Sequence, residues 1–394
     1  MSYIQIFIEE LKRRVTAGSR ITREETPGSA LEFLDEAPRR DLEVLSDKIA
    51  RPMDFKPRRV DSDIYAMDTS SRAIEAPYVF ISIGAGSVYS RFSGRGIDVP
   101  DIKSIIGLEA PCCKHIAIVP EVELESDIID KFGKYPGVMI ANPLGITYSS
   151  IYDKHIVLVE LRLSLENCLL RRFVEQGLDD KVILFIDGPL IYPSIPVHET
   201  RYLVNKEKLK IYIDSIEYLN MERLILITKL IEKSVVLLSV VKRLQRSYYL
   251  SIIDPMELSV GRINDEAYIS TLTLRNLLPI DKPVIIGPLG LKHESKNITR
   301  LMWYIVVPRR LYPMTGGIGN YVTYRVEPID TIDEEPDKIL EYILYDSINM
   351  GSLLPLSILI VDRRVKKLTS SITSYMLYST GLSEEATSQY ISVL

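Results

Sequence analysis

Hydrophobic positions along this chain follow two periods. A period near two marks residues 62–86: Ile64, Ala66 and Met67 run into Asp68, and a second apolar run over 78–86 ends in glycines. Such runs in close succession predict an antiparallel meander rather than the start of a βαβ unit. Residues 115–120 add a short third run. A helical period takes over at 153–176, where Val159, Leu161, Leu163, Leu165, Leu169, Leu170 and Phe173 supply the apolar face and Gly177 ends it. The apolar strand 182–186 follows at once, an α/β element, so the sheet is expected to be mixed, in an α/β (α+β) fold. Further helices are expected at 199–233, 264–274, 337–349 and 356–375, a β-branched core strand at 234–241, and two strands at 301–307 and 321–326 joined by a Pro/Gly loop.

The flanks read differently. Residues 2–16 form an amphipathic helical pattern with Ile4, Phe7, Ile8 and Leu11 on one side, a stripe suited to association or to packing on the chain's own core. A helix is expected at 38–49, a linker at 51–59, a mobile basic loop with Arg91 and Arg95 at 86–100, and a loop-rich stretch at 120–150.

Composition narrows the classes. With 394 residues, 46% hydrophobic and 26% charged, the chain is an ordinary globular protein with a sizeable core. A net charge of −5 excludes a basic DNA-coating protein, so a nucleic-acid site must be a local groove or depend on metal ions. The three cysteines (Cys112, Cys113, Cys168) offer no disulfide framework and no zinc spacing, which points to a reducing cytosol. No apolar run is long enough to span a bilayer, and no Walker lysine loop exists.

Candidate chemistry sits at two strand ends. Asp68 is followed by Thr69, Ser70 and Ser71, and Asp187 by Gly188 and Pro189. A carboxylate at a strand end beside small residues can hold a divalent cation where a phosphate backbone comes close; alone, an Asp-Thr-Ser is more simply a turn cap. The second strand of the same kind shifts the reading towards a metal. Helix 153–176 carries Glu160 and Glu166 just before that second strand, and the last helix carries Asp362 beside Arg363, Arg364, Lys366 and Lys367.

These motifs, in this order, resemble the archaeal NurA nucleases, partners of the HerA hexameric helicase in DNA end resection. Met67-Asp68-Thr69-Ser70-Ser71 is similar to the family's first Asp-Gly-Ser strand end, and Ile186-Asp187-Gly188-Pro189-Leu190 to its second. Val240-Val241-Lys242-Arg243, Asn264-Asp265-Glu266, Trp303-Tyr304-Ile305 with Tyr324-Arg325-Val326-Glu327-Pro328, and Gly351-Ser352-Leu353-Leu354-Pro355-Leu356 resemble later family segments. The resemblance implies an RNase H-like core with flanking helices and a helical insertion. It divides the chain into an N-terminal helical and linker segment (1–60), the nuclease domain (61–365) and a C-terminal helical tail (366–394). It implies a metal-dependent DNA nuclease, a 5'-3' exonuclease and single-strand endonuclease using Mn²⁺ or Mg²⁺, cytoplasmic, homodimeric and docked on a HerA-type ATPase.

Residue by residue, the resemblance makes Asp68, Glu166 and Asp187 the catalytic metal ligands, with Glu160 in reserve, since two acids six positions apart lie about 120° apart around a helix. Lys242, Arg243 and Arg325 become phosphate contacts, with structural pairing the alternative for Lys242 and for Arg325 with Glu327. The chain departs from the family on the last helix, where Ile360 occupies the place of its histidine. Asp362, about 200° around the helix from Ile360, is a substitute ligand if the helix is turned towards the acids. The alternative implied by that departure is a catalytically impaired subunit that still binds DNA and the helicase.

Overall fold

The computed structural model describes residues 8, 42–44, 50–52, 60–76, 79–120, 131–176, 182–192, 206–259, 261–275, 277–278, 282–293, 298–308, 321–328, 336–347 and 350–380. Its strands are β1 (Leu42–Val44), β2 (Ala50–Pro52), β3 (Asp63–Ala76), β4 (Val79–Ser90), β5 (Gly96–Val99), β6 (Ile116–Pro120), β7 (Val138–Met139), β8 (Val182–Asp187), β9 (Val236–Val241), β10 (Val284–His293), β11 (Ile298–Pro308) and β12 (Tyr321–Pro328). Its helices are α1 (Ile102–Ile106), α2 (Lys154–Glu175), α3 (Lys206–Glu232), α4 (Tyr249–Ile253), α5 (Asp265–Leu274), α6 (Pro336–Asp346) and α7 (Leu356–Thr380).

Among the described residues the strands join in one mixed sheet, ordered β1-β10-β11-β12-β9-β8-β3-β4-β6-β7, with β2 on β10 and β5 on β4. β3 pairs antiparallel with β4, which pairs antiparallel with β6, and on its other side β3 runs parallel to β8 and β8 to β9. α2 lies between β6 and β8 in the chain, and α3 between β8 and β9. The segment β6-β4-β3-β8-β9 with these crossovers is the RNase H-like core, extended antiparallel through β12, β11 and β10.

Alternation along the central strands decides what faces what. Ile64 and Ala66 of β3, Ile183 and Phe185 of β8, and Val236, Leu238 and Val240 of β9 pack with Ile358, Val361 and Val365 of α7. Their neighbours Tyr65, Met67, Leu184, Ile186 and Leu237 pack on the opposite face with Leu165, Leu169 and Phe173 of α2 and Leu226, Ile227 and Leu230 of α3. Both faces are buried, which is why these strands read as nearly continuous apolar runs. Gly86 lets α2 descend on the sheet: a Cβ there would meet Leu169 Cδ1 at 2.6 Å and Thr69 Cγ2 at 3.0 Å.

Several expectations change. Leu42–Val44 and Ala50–Pro52, expected within a helix and a linker, are strands that hydrogen-bond to β10, where backbone pairing with an open strand outweighs local propensity. The glycines of 84–86 do not end their strand: β4 runs on to Ser90, a tight turn follows, and β5 folds back on β4, so 86–100 is a hairpin rather than an open loop. β10 has no counterpart among the expected strands, because its Gly287-Pro288-Leu289-Gly290 interruption, at a register shift, hides the strand period. The cysteines do pair: Cys113 and Cys168 form a disulfide between the approach to β6 and α2, which sequence separation of 55 residues concealed. Of residues 2–16 only Ile8 is described, buried with Ile74, Ile81, Ile116 and Met376 of the main core; the rest of that helix and the loop 309–320 lie outside the described residues. α7 passes unbroken through Val365 and Lys366. No helix among the described residues is long and apolar enough to cross a membrane.

Candidate metal centre

The parallel pairing of β3 with β8 ends at Met67 opposite Ile186, so Asp68 and Asp187 are the next residues on adjacent strands. By alternation both follow Ala66 and Phe185 onto the α7 face. Gly188 then turns the chain away at φ +113, a conformation that side chains disfavour. Asp362 approaches from α7. Asp68, Asp187 and Asp362 each offer a carboxylate oxygen within 4.8 Å of the others, and they form the metal-competent group among the described residues.

Charge in this cluster is unbalanced. Lys242, one residue past β9, places Nζ 2.6 Å from Asp187 Oδ2 and 3.5 Å from Asp362 Oδ1. Lys366 donates to Asp362 Oδ2 at 2.8 Å, one turn along α7. Burial, and then the charge of Asp187, push the Asp68 carboxyl well above the usual carboxylate range, against the pull of Arg162 and Lys242. Burial also raises Asp187, with Lys242 opposing it. At Asp362 burial acts upwards too, but the Lys366 hydrogen bond and the Lys242 charge outweigh it and hold the carboxyl below its ordinary range. Burial acts to lower Lys242, but the charge and hydrogen bond of Asp187, with the charges of Asp362 and Asp68, together outweigh it and raise the ammonium. Three carboxylates converging on one point, only partly offset by these cations, are a set of hard oxygen donors suited to a divalent cation.

The acids are held from behind. Thr69 N–H donates to Asp68 Oδ1 at 2.7 Å, and Arg162 Nη2 donates to the Thr69 carbonyl at 2.9 Å. The turn after Asp187 is gripped from both sides: Leu190 N–H donates to Glu327 Oε2 at 3.1 Å, Arg223 Nε to the Leu190 carbonyl at 2.7 Å, and Ser239 Oγ to the Gly188 carbonyl at 2.7 Å. α7 is set by Asp346, which accepts Ser357 N–H at 2.8 Å in the first turn and Arg91 Nε at 3.0 Å.

Of the residues named from sequence, the fold brings together Asp68, Asp187, Asp362 and Lys242. Glu166 is elsewhere. Thr69, one step along β3 from Asp68, points to the α2 face, and its Oγ1 donates to Glu166 Oε1 at 2.7 Å. Arg223 Nη1 donates to Glu166 Oε2 at 2.6 Å and the Tyr192 hydroxyl reaches both oxygens. Glu166 thus lies across the sheet from the three aspartates, fully engaged. Glu160 is remote as well, taking hydroxyl donors from Tyr148 at 2.8 Å, Tyr152 at 2.6 Å and Ser215 at 2.5 Å. Arg325 is fully buried, with Nε 2.7 Å from Glu327 Oε1 and Nη1 2.6 Å from Ser247 Oγ, so it braces the Asp187 turn through Glu327 instead of meeting phosphate. Arg243 is exposed beside Lys242. Sequence reasoning missed Arg162, Tyr192 and Arg223. Arg223 left a signal, since it interrupts the apolar stripe of Ile216, Leu219, Ile227 and Leu230 on α3, and a charge there requires a buried partner.

No family model matches the chain, and no curated protein matches it. Among solved structures it is similar to a crystal structure of the NurA nuclease from Sulfolobus solfataricus, at 13% identity and TM-score 0.40, covering 84% of this chain and 89% of that one. A crystal structure of NurA with manganese aligns at 11% identity and TM-score 0.41, over 95% of this chain and 96% of that one. Another crystal structure of NurA aligns at 14% identity and TM-score 0.39, over 79% and 85%. At these values the likeness carries no functional argument.

Proposed function

We propose that this chain is a metal-dependent phosphodiesterase acting on DNA. The convergence of Asp68, Asp187 and Asp362 at one end of the β3–β8 pair carries the reading. Their donors are all carboxylate oxygens, which suit Mg²⁺ and Mn²⁺ alike. These three residues would hold the cation, which when bound polarises a phosphoryl oxygen and lowers the pKa of water.

The chain's own groups do the rest. Asp68 is the carboxyl that burial and Asp187 most incline to keep a proton, which it would give up on holding a cation. Lys242, held by Asp187 and Asp362, would be partly released from that attraction with a cation bound there and could then meet a phosphate oxygen. Arg243 lies beside it on the exposed side. Thr69, Arg162 and the clamp on Leu190 keep the carboxylates from swinging apart. The finer reading, a homodimeric partner of a HerA-type ATPase in end resection, rests on the motif order in the sequence.

The test is degradation of single- and double-stranded DNA by the full chain with Mn²⁺ or Mg²⁺, comparing wild type with Asp68→Asn and Asp187→Asn. Metal-dependent cleavage lost in both variants supports the reading. Cleavage that persists in both, or a folded wild type that binds neither ion and cuts nothing, overturns it.

A further inference from the structure

The cysteines form a second arrangement, independent of the acidic site. Cys113 and Cys168 are joined, and Cys112 is a free, exposed thiol. In an extended chain, neighbouring side chains point to opposite sides. Here the chain bends at Cys112 and Cys113, and both sulfurs come to the same place, 3.6 Å apart. Arg172, one helical turn beyond Cys168 on α2, donates from Nη1 to Cys112 Sγ at 2.7 Å and holds that sulfur against the bridge. The bridge is unevenly exposed: Cys113 is buried at 4% and Cys168 is half-buried.

We propose that Cys112, Cys113, Cys168 and Arg172 form a thiol–disulfide exchange site. The Cys112 thiolate attacks Cys113 Sγ, the Cys112–Cys113 bond forms, the Cys113–Cys168 bond breaks, and Cys168 leaves as a thiolate that takes up the proton Cys112 lost. Sulfur oxidation is conserved, so no external oxidant or reductant enters. The chain keeps one bridge and one thiol throughout, but the position of the thiol moves from the β6 approach to α2. In the first form α2 is tied to that approach; in the second it is not. α2 carries Arg162 and Glu166, the groups that support the Asp68 strand from behind, so the exchange acts on the helix that backs the acidic cluster.

The experiment is slow alkylation of the folded, full-length chain without reductant, followed by acid quench and mass mapping of labelled and disulfide-linked peptides. The expected result is one label per chain, divided between Cys112 and Cys168, with the Cys168-labelled fraction carrying a Cys112–Cys113 bridge and growing as pH rises. Cys112→Ser should abolish labelling of Cys168, and Arg172→Gln should lower it several-fold with the fold intact by circular dichroism. Label on Cys112 alone at every time and pH overturns the proposal. So does labelling of Cys168 that survives in Cys112→Ser, or labelling of all three cysteines, which would mean no bridge exists.

Discussion

Thr69 Oγ1 lies 2.7 Å from Glu166 Oε1, while the Thr69 backbone N–H lies 2.7 Å from Asp68 Oδ1. One residue therefore links the two faces of the sheet. Its amide orients the carboxylate that faces α7, and its hydroxyl is held by the carboxylate on α2. Glu166 reaches the acidic cluster through Thr69 and not as a member of it.

That relationship separates ligand from support. Arg223→Met leaves Glu166 buried without its cation, and losing one partner of a buried pair costs about 3–5 kcal/mol. Glu166→Gln keeps the volume and loses the charge. Both variants should unfold at lower denaturant while binding Mn²⁺ with nearly wild-type affinity once folded, whereas Asp187→Asn should do the reverse. Equilibrium unfolding with isothermal titration decides it: loss of Mn²⁺ binding in folded Glu166→Gln would restore Glu166 as a ligand.

Lys242 supplies the positive charge nearest the three aspartates. Lys242→Met should destabilise the metal-free protein by about 1.5–3 kcal/mol, the usual worth of a hydrogen bond to a charged group. Added divalent cation should then raise its melting temperature more than that of wild type, since binding to the native state alone stabilises by mass action. Equal metal-induced shifts in the two proteins would show that Lys242 does not balance the acids.

Glu160 gives a pH dependence that is separate from the metal site. Burial pushes its carboxyl up to about 7, partly offset by hydrogen bonds from Ser215, Tyr152 and Tyr148. An unfolded glutamate titrates at about 4.3. The folded state therefore binds the extra proton between about 4.3 and about 7, and stability from this group is full below that window and lost as pH rises through it. The span corresponds to about 3–4 kcal/mol at 1.36 kcal/mol per unit. Glu160→Gln should flatten the fall in stability across that range. Urea unfolding at several pH values checks it, and an unchanged slope in the variant would count against the assignment.

The last helix tests the departure from the family pattern. Asp362 faces the other acids while Ile360, about 200° away around α7, is half-buried elsewhere on it. Asp362→Ala should weaken divalent-ion binding by roughly tenfold or more, since even the contacts that only support a ligand are typically worth 10–100-fold. Ile360→His should restore nothing in Asp362→Ala. Direct metal titration of both variants reads this out, and recovery of affinity in the double variant would place position 360 in the site.

Much of this architecture is legible along the chain. The alternation that buries Ile64 and Ala66 against one layer, and Tyr65 and Met67 against the other, sends Asp68 to the first face; the same parity on β8 sends Asp187 there, because a strand's side-chain period is two. The long helices α2, α3 and α7 follow from their apolar periods in the same way. What only the tertiary structure decided is which helix covers which face. α7 lies over the face that holds Asp68 and Asp187, so Asp362 joins them, and α2 lies over the other, so Glu166 pairs with Arg223. Helical period ranks the faces of each helix but contains no information about the layer against which it packs. The β1 and β2 pairings with β10 and the Cys113–Cys168 bridge were hidden for a related reason: each is fixed by a partner far along the chain, and neither an edge strand's open hydrogen bonds nor a cysteine's neighbour in space leaves a local mark.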